Sequence, residues 1–152
     1  MTQNLTEFFR EKKQRSDAEN AGIDWSKRKS EWLHAVDSLY ALIELILKEP
    51  LSQGNAKSCR RKKEITEEHL GRYEADELVL TVGDENVLFS PKGRNVIGAI
   101  GRVDVQGEAG EATLVLQSGP RWSLVQSKYP QLKLVELNEV SLGETLRGVM
   151  RQ

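Results

Sequence analysis

The chain has 152 residues, of which 38% are hydrophobic and 30% charged, and a formal net charge of −1. That length suits one domain with a substantial core, and the composition fits a globular protein and not a disordered or membrane one. The longest apolar run, Leu39 to Leu47, is interrupted by Glu44 and falls far short of the roughly 20 residues a bilayer-spanning helix needs.

The single cysteine, Cys59, cannot form an internal disulfide, which agrees with a reducing compartment. The first ten residues lack the apolar core and cleavage site of a signal peptide, so the chain is expected to be cytoplasmic. The small net charge conceals an asymmetry. Residues 1–63 carry 13 Lys and Arg against 9 Asp and Glu, whereas residues 64–152 carry 9 against 14. A basic first part joined to an acidic second part suggests a charge-guided contact, within the molecule or with another.

Leu5, Phe8 and Phe9 stand at i, i+3 and i+4 and are followed by the polar run 10–20. This pattern predicts a first helix that is apolar only at its start, ends at Gly22 and is too polar to be held by its own packing. A second helix follows, capped by Asp24 or Ser26. In it Trp32, Val36, Leu39, Ile43 and Ile46 recur at helical spacing, flanked by Leu33, Tyr40 and Leu47 and widened by Leu42 and Leu45. A face this broad must be covered by a sheet or by a partner chain. These five residues are the expected protein-interaction face, and the helix 24–49 is the expected route of self-association. Pro50 should end the helix, because it has no N–H to donate.

Residues 51–62 read as a linker loop. Beyond them the hydrophobic period changes from helical to two. Leu78, Leu80 and Val82 alternate, and Val87 and Phe89 follow a Gly83-Asp84 break. Ala112, Leu114 and Leu116 share a side, as do Trp122 and Leu124, and Leu132 and Leu134 close the series. The reading is a curled antiparallel meander of about six or seven strands. Apolar residues on the second face (Val79, Leu88, Val115, Val125, Val135) require the sheet to curl or to be covered on both sides. Ser141 to Glu144 has the form of a capping box, starting a short last helix that turns Leu142, Leu146 and Val149 inward.

The fold class is therefore α+β: two N-terminal helices, the meander and a short C-terminal helix. The chain divides into a helical arm with a basic linker, 1–62, and a sheet with its closing helix, 63–152. A meander of this kind closed by a C-terminal helix resembles the outline of pleckstrin-homology-like domains over about residues 63–152. The resemblance is one of architecture and implies no ligand.

Signatures of chemistry fail when tested. His34 and His69 have no metal-ligand spacing around them, and no G-x-S-x-G is present. The stretch from Gly93 to Gly101 has the glycine spacing of a phosphate loop, but Ala99 and Ile100 stand where Lys and Ser or Thr are required. Gly98 to Gly101 has the G-x-x-G form of a KH loop, yet its flanks read as strand and not helix. Glycine within strand pattern instead marks a bend, a bulge or a close approach. Such a corner turns Ile97, Ala99, Val103 and Val105 to the core and leaves Arg102 and Asp104 together on the other face as an ion pair. The rival is a polar site gathered from Arg94, Asn95, Arg102 and Asp104. The acidic clusters at 67–68, 74–77 and 84–85 read as solvated turn charge.

Basic segments at 27–29 and 57–63 could neutralise phosphates, with Lys57, Arg60, Arg61, Lys62 and Lys63 as the anion-binding candidates. The slightly acidic chain and the lack of aromatic residues beside the second segment weaken this. The expected function is a non-enzymatic protein-interaction or adaptor module, with no metal or small-molecule cofactor, acting on a protein partner or on itself. A nucleic-acid-binding accessory domain is the alternative, and an enzyme with a dispersed site comes third.

Overall fold

The computed structural model describes residues 4–20, 24–93, 101–117, 121–127 and 129–152. Helix α1 spans Leu5–Asn20, and Asn4 caps it by accepting the Glu7 N–H at 2.8 Å. Helix α2 spans Trp25–Ile46. Of the two expected caps, Asp24 is the one used: its carboxylate accepts the Lys27 N–H at 3.0 Å. The expected break at Gly22 lies outside the described residues.

Pro50 does not end α2. The helix stops at Ile46, and a five-residue helix α3, Lys48–Ser52, follows with Pro50 inside it. The reason is positional. A proline cannot donate to the carbonyl four residues back, so the hydrogen-bond ladder breaks upstream, and in the first turn of a new helix its missing N–H goes unnoticed.

Half of the segment expected as a linker, residues 57–62, is strand. β1 runs Lys57–Glu67 and is followed by β2 (Gly71–Val82), β3 (Glu85–Gly93), β4 (Gly101–Gln106), β5 (Glu111–Gln117), β6 (Arg121–Ser127) and β7 (Lys133–Glu136). All seven strands pair antiparallel with their neighbours in chain order, as the meander reading expects, and the sheet is open, with β1 and β7 as its edges. Registers such as Leu78↔Phe89, Phe89↔Val105 and Leu114↔Leu124 place one apolar side chain opposite the next, which is how a concave inner face is built.

Residues 71–77 of β2 pair only with β1, because β3 joins from Leu78 onward. A two-stranded ribbon twists more than a wide sheet. Tyr73 and Ala75 are buried in the same core as Leu78 and Leu80, although strict alternation would put the two pairs on opposite sides.

Helix α2 lies in the concavity. Trp32, Val36, Leu39, Tyr40 and Ile43 are all buried there, with Val103, Val105, Leu114, Leu116, Trp122 and Leu124 of the sheet in the same cluster. Polar groups on the large rings are satisfied in place. Trp122 Nε1 donates to the Ala35 carbonyl at 3.2 Å, Trp32 Nε1 to the Tyr73 hydroxyl at 3.0 Å, and the Tyr40 hydroxyl to the Asp76 carbonyl at 2.6 Å. A Cβ at Gly101 would stand 2.3 Å from Cζ3 of Trp32, so this glycine permits the close approach of the ring.

Helix α4, Glu139–Val149, starts earlier than expected. Asn138, not Ser141, is the N-cap. Its side chain accepts the Ser141 N–H at 3.0 Å, and Ser141 Oγ accepts the Asn138 N–H at 2.9 Å. Ser141 thus takes the third-residue role of the box that the sequence reading gave to Glu144. Leu142 and Val149 enter the core and Leu146 packs on it, as expected. The chain end ties down the turns beneath it: Ala109 N–H donates to the Val149 carbonyl at 2.8 Å, and Arg151 pairs with Asp84 at 2.9 Å and Glu108 at 2.6 Å.

Candidate functional site

The basic candidates of 57–63 stand on an edge strand, and most of their charge is engaged. Arg60 reaches α2, where it pairs with Asp37 and, at 3.1 Å, with Glu44, its guanidinium 5.5 Å from the centre of the Tyr40 ring. Arg61 donates to Glu77 at 2.9 Å and Lys62 pairs with Asp76 at 2.8 Å. Lys63 donates to Ser90 Oγ at 2.8 Å and to the Pro91 carbonyl at 3.1 Å. Of the five, Lys57 alone makes neither an ion pair nor a side-chain hydrogen bond among the described residues. Asp76 and Glu77 are carboxylates that the sequence reading took for turn charge. The register Arg61↔Glu77 and Lys62↔Asp76 sets them directly across the hairpin, where opposite charges attract. A signal was present: runs of opposite sign lie at equal distances on either side of His69.

Lys63, Ser90, Glu77 and Arg61 form one network on the outer face of the sheet. Ser90 is 2% exposed and Glu77 8%, and the Ser90 hydroxyl donates to Glu77 Oε2 at 2.7 Å. Burial alone would raise the Glu77 carboxyl, but the hydrogen bonds from Ser90 and Arg61 and the charges of Arg61 and Lys63 outweigh it and hold its pKa below the usual value. The Lys63 amine is pulled below its ordinary value, first by burial and then by the charge of Lys92, against the attraction of Glu77 and Asp104. Sequence reasoning missed this network because its members come from three strands.

Of the polar candidates Arg94, Asn95, Arg102 and Asp104, the first two lie outside the described residues. Arg102 and Asp104 form the ion pair expected at i, i+2, with Nε at 2.7 Å from Oδ1 and a terminal nitrogen at 3.0 Å from Oδ2. Both carboxylate oxygens thereby accept from the same guanidinium. A shallow, open depression of about 310 Å³ lies beside it, lined by Glu111, Thr113, Gln126 and Ser127 among others. Val103 and Val105 face the core as expected; Ile97 and Ala99 lie outside the described residues.

The helix face named as an interaction surface is covered by the sheet. Trp32, Val36, Leu39 and Ile43 are 0–2% exposed and Ile46 packs partly buried against them. The physical reason is the curl of the sheet, which provides the cover that the sequence left open between sheet and partner. The apolar surface that does remain is elsewhere. Leu5, Phe8 and Phe9 of α1 are 66%, 47% and 59% exposed, and Leu42, Leu45, Tyr129, Leu132 and Val140 also face solvent. Every residue of α1 from Leu5 to Ala18 is exposed, so along that length the helix gains no cover from the domain.

Near α2's start, Trp25 stacks on His69 with ring centres 4.4 Å apart, and Arg28 lies 5.8 Å from the Trp25 ring. His34 and Cys59 are exposed. Among the described residues no group of three His, Cys, Asp or Glu could hold a metal, and no helix is long and apolar enough to cross a membrane. No protein-family model matches the chain, and neither a curated protein nor a solved structure matches it.

Proposed function

We propose that the protein is a non-enzymatic protein-interaction module and that α1 is its docking element. One observation carries this reading: Leu5, Phe8 and Phe9 form an exposed apolar face on a helix that the domain does not cover. An isolated helix of this length is marginal in water, because nucleation is costly and nothing packs on it. Covering a side chain of this kind supplies about 1.5–3 kcal/mol, so a partner groove would stabilise the helix and bind it in one step. Anchors at i, i+3 and i+4 are the pattern by which an amphipathic helix enters such a groove.

The alternative use of 27–29 and 57–63 on nucleic acid has less support. Four of the five cations in the second segment already neutralise carboxylates or donate to polar groups of the domain, so phosphate would have to displace those contacts. A photo-crosslinking amino acid at position 9, incorporated in cells, tests the docking reading. A discrete adduct that disappears with Phe8→Glu is expected. No adduct from position 9, with the protein folded and expressed, refutes it.

A further inference from the structure

We infer that the outer face of the sheet, beside a bulge in β3, binds a small phosphate group between the amines of Lys63 and Lys92. Two charge pairs on this face are complete in themselves. Glu77 accepts from Arg61 at 2.9 Å through one oxygen and from Ser90 at 2.7 Å through the other, and both oxygens of Asp104 accept from Arg102. Lys63 and Lys92 are left over: neither makes an ion pair among the described residues. An ammonium has three N–H donors, of which Lys63 uses two, on Ser90 Oγ and the Pro91 carbonyl. Lys92 stands close enough to act on Lys63 both by its charge and as a hydrogen-bonding neighbour. Two ammonium groups cannot satisfy each other, since neither can accept.

The backbone puts Lys92 there. Between β3 and β4, Pro91 pairs with Val103 and Gly93 with Arg102, so Lys92 is the extra residue of the bulge. A bulge breaks the ladder and re-aims a side chain. Pro91 and Gly93 are buried on either side, whereas Lys92 is exposed and Lys63 half-buried. One amine is thus fixed by the sheet and the other is open to solvent. Glu77 and Asp104 attract Lys63 from beyond pairing distance, being already committed to Arg61 and Arg102. An acceptor between the two amines relieves their repulsion and takes the N–H groups that remain. A phosphate group fits in charge and in acceptors: it carries about −1.5 to −2 at pH 7 and offers three oxygens. A single carboxylate would leave one of the two charges unanswered. Phosphate here displaces nothing, unlike at Arg60, Arg61 and Lys62, whose carboxylate pairs it would have to break.

The test follows the amide resonances of the full chain by NMR as inorganic phosphate replaces chloride at constant ionic strength. Saturable shifts centred on Lys63, Ser90, Lys92 and Gly93 are expected. Lys92→Met should weaken binding about tenfold or more, because a charge-assisted contact is lost, and Lys92→Arg should retain it. Lys57→Met, which removes an exposed cation of the same strand, should leave binding unchanged. Lys92 is exposed, so the fold is expected to survive its replacement, and circular dichroism checks this. A parallel titration with glycerol phosphate separates the sources. Tighter binding of the ester assigns the site to an esterified phosphate, and tighter binding of inorganic phosphate assigns it to the free ion; either supports the site. Shifts that stay linear in phosphate, that Lys92→Met leaves unchanged, or that Lys57→Met and Lys92→Met reduce alike overturn the inference.

Discussion

Replacing Gly101 by alanine gives a sharp test of the packing between α2 and the sheet. Glycine-to-alanine changes at positions with ordinary backbone angles stabilise by about 0.4–1 kcal/mol, because the unfolded chain loses freedom. Gly101 should reverse that sign. Its new Cβ would stand 2.3, 2.8 and 2.9 Å from three carbons of the Trp32 ring. The ring cannot move aside cheaply, since Trp32 is 1% exposed, is tied through Nε1 to Tyr73 and lies 6.1 Å from the Trp122 ring. Overpacking of a filled core costs about 1–3 kcal/mol, and losing the Trp32–Tyr73 hydrogen bond adds about 1 kcal/mol. The sum is a destabilisation of about 2–4 kcal/mol. With a urea slope of about 2 kcal/mol/M, the unfolding midpoint should fall by about 1–2 M. In a Trp32→Leu background the clash is gone, and Gly101→Ala should cost close to nothing. A raised or unchanged midpoint in the native background, or an equal cost in both, would refute the reasoning.

Two further expectations concern buried polar groups. Glu77→Gln should cost about 2 kcal/mol at pH 7, since charge-assisted hydrogen bonds to Arg61 and Ser90 are weakened. The Glu77 carboxyl titrates below its ordinary 4.5 in the folded protein. Its contribution is therefore complete above pH 4.5 and disappears as pH falls through the folded value. Urea midpoints of protein and variant should accordingly converge in acid, and a constant gap down to pH 3 would count against the network. Tyr40→Phe removes the donor to the Asp76 carbonyl and should cost about 1–3 kcal/mol. Burial first, then Glu77 and Asp76, push the Tyr40 hydroxyl well above its ordinary 10.0 against the pull of Arg60. An absorbance titration of the folded protein between pH 10 and 12 should therefore show the same tyrosinate rise with and without Tyr40→Phe.

The helices and the order of the sheet were legible where local rules act. The stripe from Trp32 to Ile46 announced α2, and the period-two runs from Leu78 to Leu134 announced most of the meander. β1 was not legible, because an edge strand whose charges are matched on both faces carries no alternation of apolar and polar residues. Its register partners in β2 could be found only by pairing sign with sign about the hairpin. Pro50 and Ser141 were read one position rule too simply: each sits inside the first turn of a helix, where the sequence suggested a boundary. The glycines up to Gly101 read as a bend, a bulge or a close approach of backbone, but the group that approaches Gly101 is the Trp32 side chain, 69 residues away in the chain and beyond any local pattern. For the candidate site, the sequence named Leu5, Phe8 and Phe9 only as a short helical stripe. Their exposure depends on whether the rest of the chain covers them, which is a property of the assembled fold.

The outer edge of the sheet carries a further consequence. β1 is an 11-residue strand with β2 on one side and no strand on the other, the geometry on which stray chains add to make fibrils. A second β1 laid antiparallel about Arg61 would set Arg61 against Arg61 and Arg60 against Lys62, cation upon cation. The residues that fasten this strand to α2 and β2 thus also insulate it, and growth by strand addition is discouraged at the place where the backbone most invites it.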